Sequence, residues 1–337
     1  YGYFTKDFEK GLQLYSSGVL IMDKCEQLLP DHFRFVKGIV DTNDLSLNIS
    51  RELLQNDRQL KVIAGNIEKK IKSELIKMMN NDPEKYAAFW RNFGIQVKYG
   101  VVSDYGFHKD NVMDLLVFHS SDSDKLTTLK DYVARMKDGQ QYIYYAVGDS
   151  VDKIAALPQT ELCREKGFEM LYLTDDVDEF VVAGIGKFDE KEFKAVDAED
   201  SGLLSEDEKK KAEEIKTENK ELCEFVKEAI GDEIVSCVVS DKLKTKPVFL
   251  STTGTVTLEM EKYFSMMPGD EHKPKAEKVL ELNPSHPVFA ALKDAFENDK
   301  PKAEKIARVL HDSARLIAGL PVDDAVGLCD TVCEFLK

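Results

Sequence analysis

Arg51 stands where a cation is locally unwelcome. The stretch Asp41 to Gln55, Asp-Thr-Asn-Asp-Leu-Ser-Leu-Asn-Ile-Ser-Arg-Glu-Leu-Leu-Gln, reads as a polar loop running into a helix capped by Ser50. The Ser50 hydroxyl can accept from an orphan amide of the first turn. Glu52 suits the positive end of that helix dipole; Arg51 does not, at a cost of roughly 0.3–1 kcal/mol. An anion arriving at the helix start would reverse the sign of that term, and Asn48 and Gln55 place neutral hydrogen-bonding groups beside it. A surface arginine paired with a neighbouring carboxylate is the plain alternative.

Elsewhere the chemistry-bearing residues form no complete active site. There is no His-Glu-x-x-His, no Gly-x-Ser-x-Gly and no glycine-rich dinucleotide fingerprint. The histidines, His32, His108, His119, His272, His286 and His311, do not cluster in sequence. Gly184-Ile185-Gly186-Lys187 lacks the earlier glycine and the following Ser or Thr of a phosphate loop. Cys25, Cys163, Cys223, Cys237, Cys329 and Cys333 show no zinc-type spacing and read as reduced core residues. Cys329 and Cys333, one helical turn apart, could hold half a metal site; a buried apolar stripe is the simpler expectation.

These residues must be positioned by a chain of 337 residues, long enough for two cores. The formal charge of −16 argues against nucleic acid as a partner, because phosphate binding needs clustered Lys and Arg. No apolar run approaches the ~20 residues of a membrane helix. The start, Tyr1-Gly2-Tyr3, carries neither an initiator methionine nor a signal pattern, so a processed chain or a fragment is expected.

Periodicity predicts an α/β (α+β) fold. Strands are expected within Leu12 to Asp23, broken at Ser16-Ser17-Gly18, then a long helix from Asp57 to Met79 on Leu60, Ile63, Ile67, Ile71 and Leu75. A second helix opens at Asp82-Pro83, and its Tyr86, Phe89, Trp90 and Phe93 form a packing stripe. From residue 110 strands and helices alternate: strand 116–119, helix 126–136, strand 141–147, helices 150–156 and 161–166, strand 169–173. That order predicts a small α/β sandwich with a largely parallel sheet. A charged linker at 197–214 runs into one helix, 207–230; strands follow at 234–239, 247–251 and 278–282, and helices at 288–298, 301–318 and 322–336.

Two apolar stripes end the chain. Ile306, Val309, Leu310, Ser313 and Ile317 line one helix; Val322, Val326, Cys329, Cys333 and Leu336 line the next at heptad-like spacing, for which a partner subunit is a natural cover. Within Gly254 to Met267, Val256, Met260, Tyr263, Phe264 and Met267 make a short helix apolar on one face. Methionine adapts its shape and suits a binder of varied sequences, with core packing as the alternative.

The chain resembles the 90-kilodalton heat-shock chaperones, in their bacterial HtpG-like branch. The resemblance runs along nearly the whole sequence: Tyr3-Phe4-Thr5-Lys6, Glu9-Lys10-Gly11-Leu12, Ile21-Met22-Asp23, Phe35 to Asp41, Leu47 to Gln55, Asp131-Tyr132-Val133 with Arg135-Met136, Ile143-Tyr144-Tyr145, Leu171 to Asp175 and Asp178-Glu179-Phe180. It implies the middle domain (1–197, with a helical connector at 57–94 and a sandwich at 110–197) and the C-terminal dimerisation domain (198–337), which ends in a helical bundle. It further implies that Arg51 and Gln55, supported by Asn48, reach the γ-phosphate of ATP held with Mg by a separate N-terminal domain. No cofactor is expected to bind this stretch tightly. By the same resemblance the protein is a cytoplasmic homodimer that binds unfolded or partly folded clients, the last helices pair across a two-fold axis, and Val256, Met260, Tyr263, Phe264 and Met267 touch clients. Neither nucleic acid nor membrane is expected as a partner. The rivals are the transducer domain of a mismatch-repair or topoisomerase-type ATPase, where the phosphate-sensing residue is typically a lysine, and a scaffold dimer without nucleotide. The end, Cys333-Glu334-Phe335-Leu336-Lys337, lacks the Met-Glu-Glu-Val-Asp tail of eukaryotic cytosolic members.

Overall fold

A computed structural model describes residues 9–43, 58–103, 105–107, 109–198, 201–266 and 273–336. In chain order the regular elements are β1 (Leu12–Ser16), β2 (Val19–Cys25), β3 (Ile39–Thr42), α1 (Arg58–Asn81), α2 (Pro83–Val102), β4 (Val117–Ser120), β5 (Thr127–Thr128), α3 (Leu129–Arg135), β6 (Ile143–Val147), α4 (Val151–Ala156), α5 (Glu161–Glu165) and β7 (Met170–Leu173). They continue with α6 (Asp178–Ile185), β8 (Lys187–Phe188), β9 (Lys191–Ala195), α7 (Glu206–Glu218), α8 (Lys220–Ile230), β10 (Ser236–Val239), β11 (Val248–Thr253), α9 (Leu258–Met266), β12 (Glu277–Leu282), α10 (Pro287–Asn298), α11 (Lys300–Ile317) and α12 (Ala325–Phe335). The α/β class expected from periodicity is the class observed.

The chain forms two compact units. The first comprises Tyr1–Phe118, Lys125–Ala134 and Val177–Glu190. In it β1 pairs antiparallel with β2 and parallel with β3. The turn between β1 and β2 needs Ser17 at φ 49 and Gly18 at φ 76, the left-handed region that glycine enters without a Cβ penalty. Asp82 caps α2 by accepting from the Lys85 amide at 3.1 Å, with Pro83 at the first helical position. The aromatic stripe of α2 packs as the periodicity predicts: Phe35 stacks on Phe93 at 4.5 Å, and buried Tyr86 donates its hydroxyl to the Leu115 carbonyl at 2.6 Å.

The second unit comprises His119–Asp124, Arg135–Asp176 and Lys191–Lys337. There β6 pairs parallel with β7 on one side and β9 on the other, while β4 pairs antiparallel with β7 through His119 and Ser120. Helices α4 and α5 bury Ile154, Leu162 and Cys163 with Tyr144, Met170 and Tyr172, and burial pushes the Cys163 thiol up to about 12. A second sheet, ordered β10-β12-β11, carries α8, α10 and α11 around Val226, Leu250, Leu280, Leu292 and Ala307.

Two expectations change. The single helix over 207–230 is two, α7 and α8, because Asn219 turns its side-chain amide back onto the Ile215 carbonyl at 2.8 Å. The charged linker expected over 197–214 gives way to helix from Glu206 on: Ser201 and Leu203 are buried, and Ser205 and Glu208 close a capping box that starts α7. In keeping with the rejected phosphate-loop reading, Gly184 and Ile185 are the end of helix α6, which Gly186 terminates at φ 71.

Candidate functional sites

The arginine loop, with Asn48, Arg51 and Gln55, lies outside the described residues. Its frame does not. On the entering side β3 is fixed to the β1–β2 turn: the Ser17 amide donates to the Thr42 carbonyl at 3.2 Å, the Gly18 amide to Asp41 Oδ1 at 3.2 Å, and the Ser17 hydroxyl to Asn43 Oδ1 at 3.1 Å. On the leaving side α1 begins at Arg58, and Leu60 is buried within two residues. The described residues on either side are thus a sheet-edge strand, β3, and a helix, α1, anchored in the core by Leu60.

The second site is α9. Its apolar residues Met260, Tyr263 and Phe264, with Val256 just before the helix, are half-buried. Tyr263 and Phe264 meet edge to face at 6.1 Å. Met267 lies outside the described residues. Leu258 packs the helix against the core, and charged side chains tether it further: Glu261 accepts from the Lys278 ammonium at 2.9 and 3.0 Å and from the Ala276 amide at 2.8 Å, and Lys262 donates to the Ala318 carbonyl at 2.9 Å. The Thr257 hydroxyl accepts from the Met260 amide at 3.1 Å, closing the first turn. Polar tethers of this kind fix the helix while leaving its apolar face half-accessible. Sequence reading missed Glu261, Lys262 and Lys278, because their partners lie 15 to 56 residues away.

The third is the face of α11 and α12. Lys305 bridges the two helices to Glu334 at 2.8 Å, Arg315 holds the turn between them through Asp323 at 2.8 Å, and Asp324 caps α12 at the Gly327 amide, also at 2.8 Å. Of the expected seam, Ile306 and Val309 are half-buried, and Leu310 is a correction. At 6% exposure it is taken up by its own core with Ala303, Ala307 and Ala314, which recur with it at spacings of four, three and four and so share one face of α11, and Ile306 packs in part against the same core. The remaining seam faces outward: Ile317 is partly open, Val322 is half-buried, Val326 is 73% and Leu336 81% exposed. Cys329 and Cys333, expected to be buried, are exposed, while the other four cysteines are buried.

Among the described residues no group of three or more His, Cys, Asp and Glu could hold a metal ion. No described helix is long and apolar enough to cross a membrane. The described sites belong to an α/β protein that presents two partly exposed apolar helical faces. The Hsp90 protein family model matches residues 2–337, and the chain belongs to that family. It is 51% identical over 336 residues to the chaperone protein HtpG of Bacillus subtilis, and 52% identical over 337 residues to those of Clostridium perfringens and Clostridium acetobutylicum. In each case all of this chain aligns with 54% of the relative, so the chain spans about half the length of the curated relatives it matches.

Proposed function

We propose that this chain is the middle and C-terminal part of an ATP-driven chaperone. The division at 197/198 separates its phosphate-sensing half from its dimerising half. Membership of the Hsp90 family together with the arginine loop carries this reading. Arg51, with Asn48 and Gln55 beside it, is the residue that meets the γ-phosphate of ATP when a nucleotide-binding domain closes on the loop. Its guanidinium offers a planar fork to phosphate oxygens and places positive charge where negative charge grows during phosphoryl transfer. ATP and Mg are held outside the described residues. What this chain adds is the cation and its placement between β3 and α1.

Two further roles follow the same reading. The α9 face, through Met260, Tyr263 and Phe264, takes apolar segments of unfolded or partly folded clients, since adaptable side chains on a tethered helix accept many sequences. The α11–α12 face, through Ile306, Val309, Ile317, Val326, Cys329, Cys333 and Leu336, pairs with a second copy in the cytoplasm. Adding the nucleotide-binding domain in trans and measuring ATP turnover separates this reading from a scaffold without nucleotide: turnover should rise when the chain is supplied. A mixture no faster than the nucleotide-binding domain alone would favour the scaffold.

A further inference from the structure

Helix α12 carries Val326, Cys329, Cys333 and Leu336, separated by three, four and three residues. Those intervals put all four in one stripe, and the stripe is open: no residue of the helix is buried, and both cysteines are free thiols. The order three, four, three reads the same in both directions. An identical helix laid antiparallel on this face, about a two-fold axis midway between residues 329 and 333, therefore sets each Val326 opposite the other copy's Leu336. In the same register each Cys329 lies opposite the other copy's Cys333. Apolar pairs then close both ends of the stripe, and four thiols converge at its centre.

A self-complementary stripe of this kind is what an isologous interface requires. Within one helix the two cysteines stand one turn apart on the same exposed face. Four sulfurs around one point form the donor set of a tetrahedral d10 cation, with metal–sulfur bonds of about 2.3 Å. One chain supplies only half of that set. Cys223 and Cys237, by contrast, are shut inside the core.

We propose that Cys329 and Cys333 of two chains form one Zn2+ tetrathiolate site on the two-fold axis of the dimer. The proposal rests on the dimerisation reading above. Four thiols release four protons as four zinc–sulfur bonds form, leaving a centre of net charge −2 with no change of oxidation state. Because binding needs both chains, the metal holds the dimer together and dimerisation assembles the site.

The test uses intact protein, stripped of metal and kept reduced, titrated with Zn2+ and with Co2+ as the optical probe. One metal should bind per two chains, and the Co2+ form should show sulfur-to-metal charge-transfer bands with the intense visible absorption of a tetrahedral tetrathiolate. Cys329→Ser and Cys333→Ser should each lose these bands while keeping the wild-type circular dichroism. Zn2+ should lower the dimer dissociation midpoint about tenfold in wild type and leave it unmoved in either variant. One metal per chain, a spectrum of oxygen or nitrogen ligands, or bands retained in Cys329→Ser would overturn the site. A dimer that binds no metal refutes the site and leaves dimerisation standing; a monomer that binds no metal refutes both.

Discussion

Lys98 and Asp178 meet in the interior of the first unit, Nζ to Oδ1 at 2.5 Å, with side chains 3% and 1% exposed. The ammonium also lies 5.7 Å from the centre of the Trp90 ring and 5.3 Å from that of Phe118, where the ring faces favour a cation. The pair joins α2 to the first turn of α6, where a carboxylate also suits the helix dipole. Removing one member strands the other charge without water. Asp178→Ala should therefore destabilise the protein by about 3–5 kcal/mol, read from the urea midpoint. Lys98→Met combined with Asp178→Leu should recover most of that loss; a double variant as unstable as the single one would show that the site depends on charge for more than pairing.

Glu161, at the start of α5, predicts an acid-sensitive clasp. Burial alone would raise its pKa, but the Thr245 hydroxyl and the Thr245 and Lys244 amides, the amides at 2.9 and 3.1 Å, stabilise the anion and bring it below the ordinary glutamate value. A depressed folded-state pKa contributes stability that is present above the unfolded value, near 4.5, and is lost as pH falls through the lower folded value. Wild-type stability should thus fall on acidification from pH 5 to pH 3 more steeply than that of Glu161→Gln. Parallel curves for the two proteins would remove Glu161 from the acid response.

Much of the scaffold is legible in the sequence because its signals are local. Leu60 and Leu75 mark α1 by period, Asp82-Pro83 marks the start of α2, and Ser16-Ser17-Gly18 marks the turn between β1 and β2. What stayed hidden depends on distant partners. Asp178 and Glu179 are both buried, which no local pattern marks, Asp178 because Lys98 waits eighty residues earlier. The spacing of Cys329 and Cys333 shows that they share a face; only the packing of α12 shows that its own chain leaves that face uncovered. Leu310 is the converse case, an apolar residue beside the seam that its own core absorbs.

The α9 reading bears on clients. Replacing Tyr263 and Phe264 by serine removes apolar area from a half-open face, while the Glu261 and Lys262 tethers stay in place. Suppression of aggregation of an unfolded client should weaken about tenfold, with the melting temperature shifted by no more than about 3 °C. Loss of the fold would instead identify the segment as core.

Dimerisation has a direct probe in Val326→Glu. A carboxylate placed in the seam would lose its water without gaining a partner, at about 3 kcal/mol or more per interface. Light scattering at micromolar concentration should find wild-type dimer and variant monomer. An unaffected variant dimer would move the interface elsewhere.

On the proposed function, Arg51 acts on nucleotide and not on the fold. In the intact protein, Arg51→Ala should lower ATP turnover by about a hundredfold or more while the melting temperature stays within about 2 °C of wild type. Arg51→Lys should recover only part of the rate, since an ammonium cannot reproduce the guanidinium fork. ATP turnover in Arg51→Ala equal to that of wild type would contradict the account.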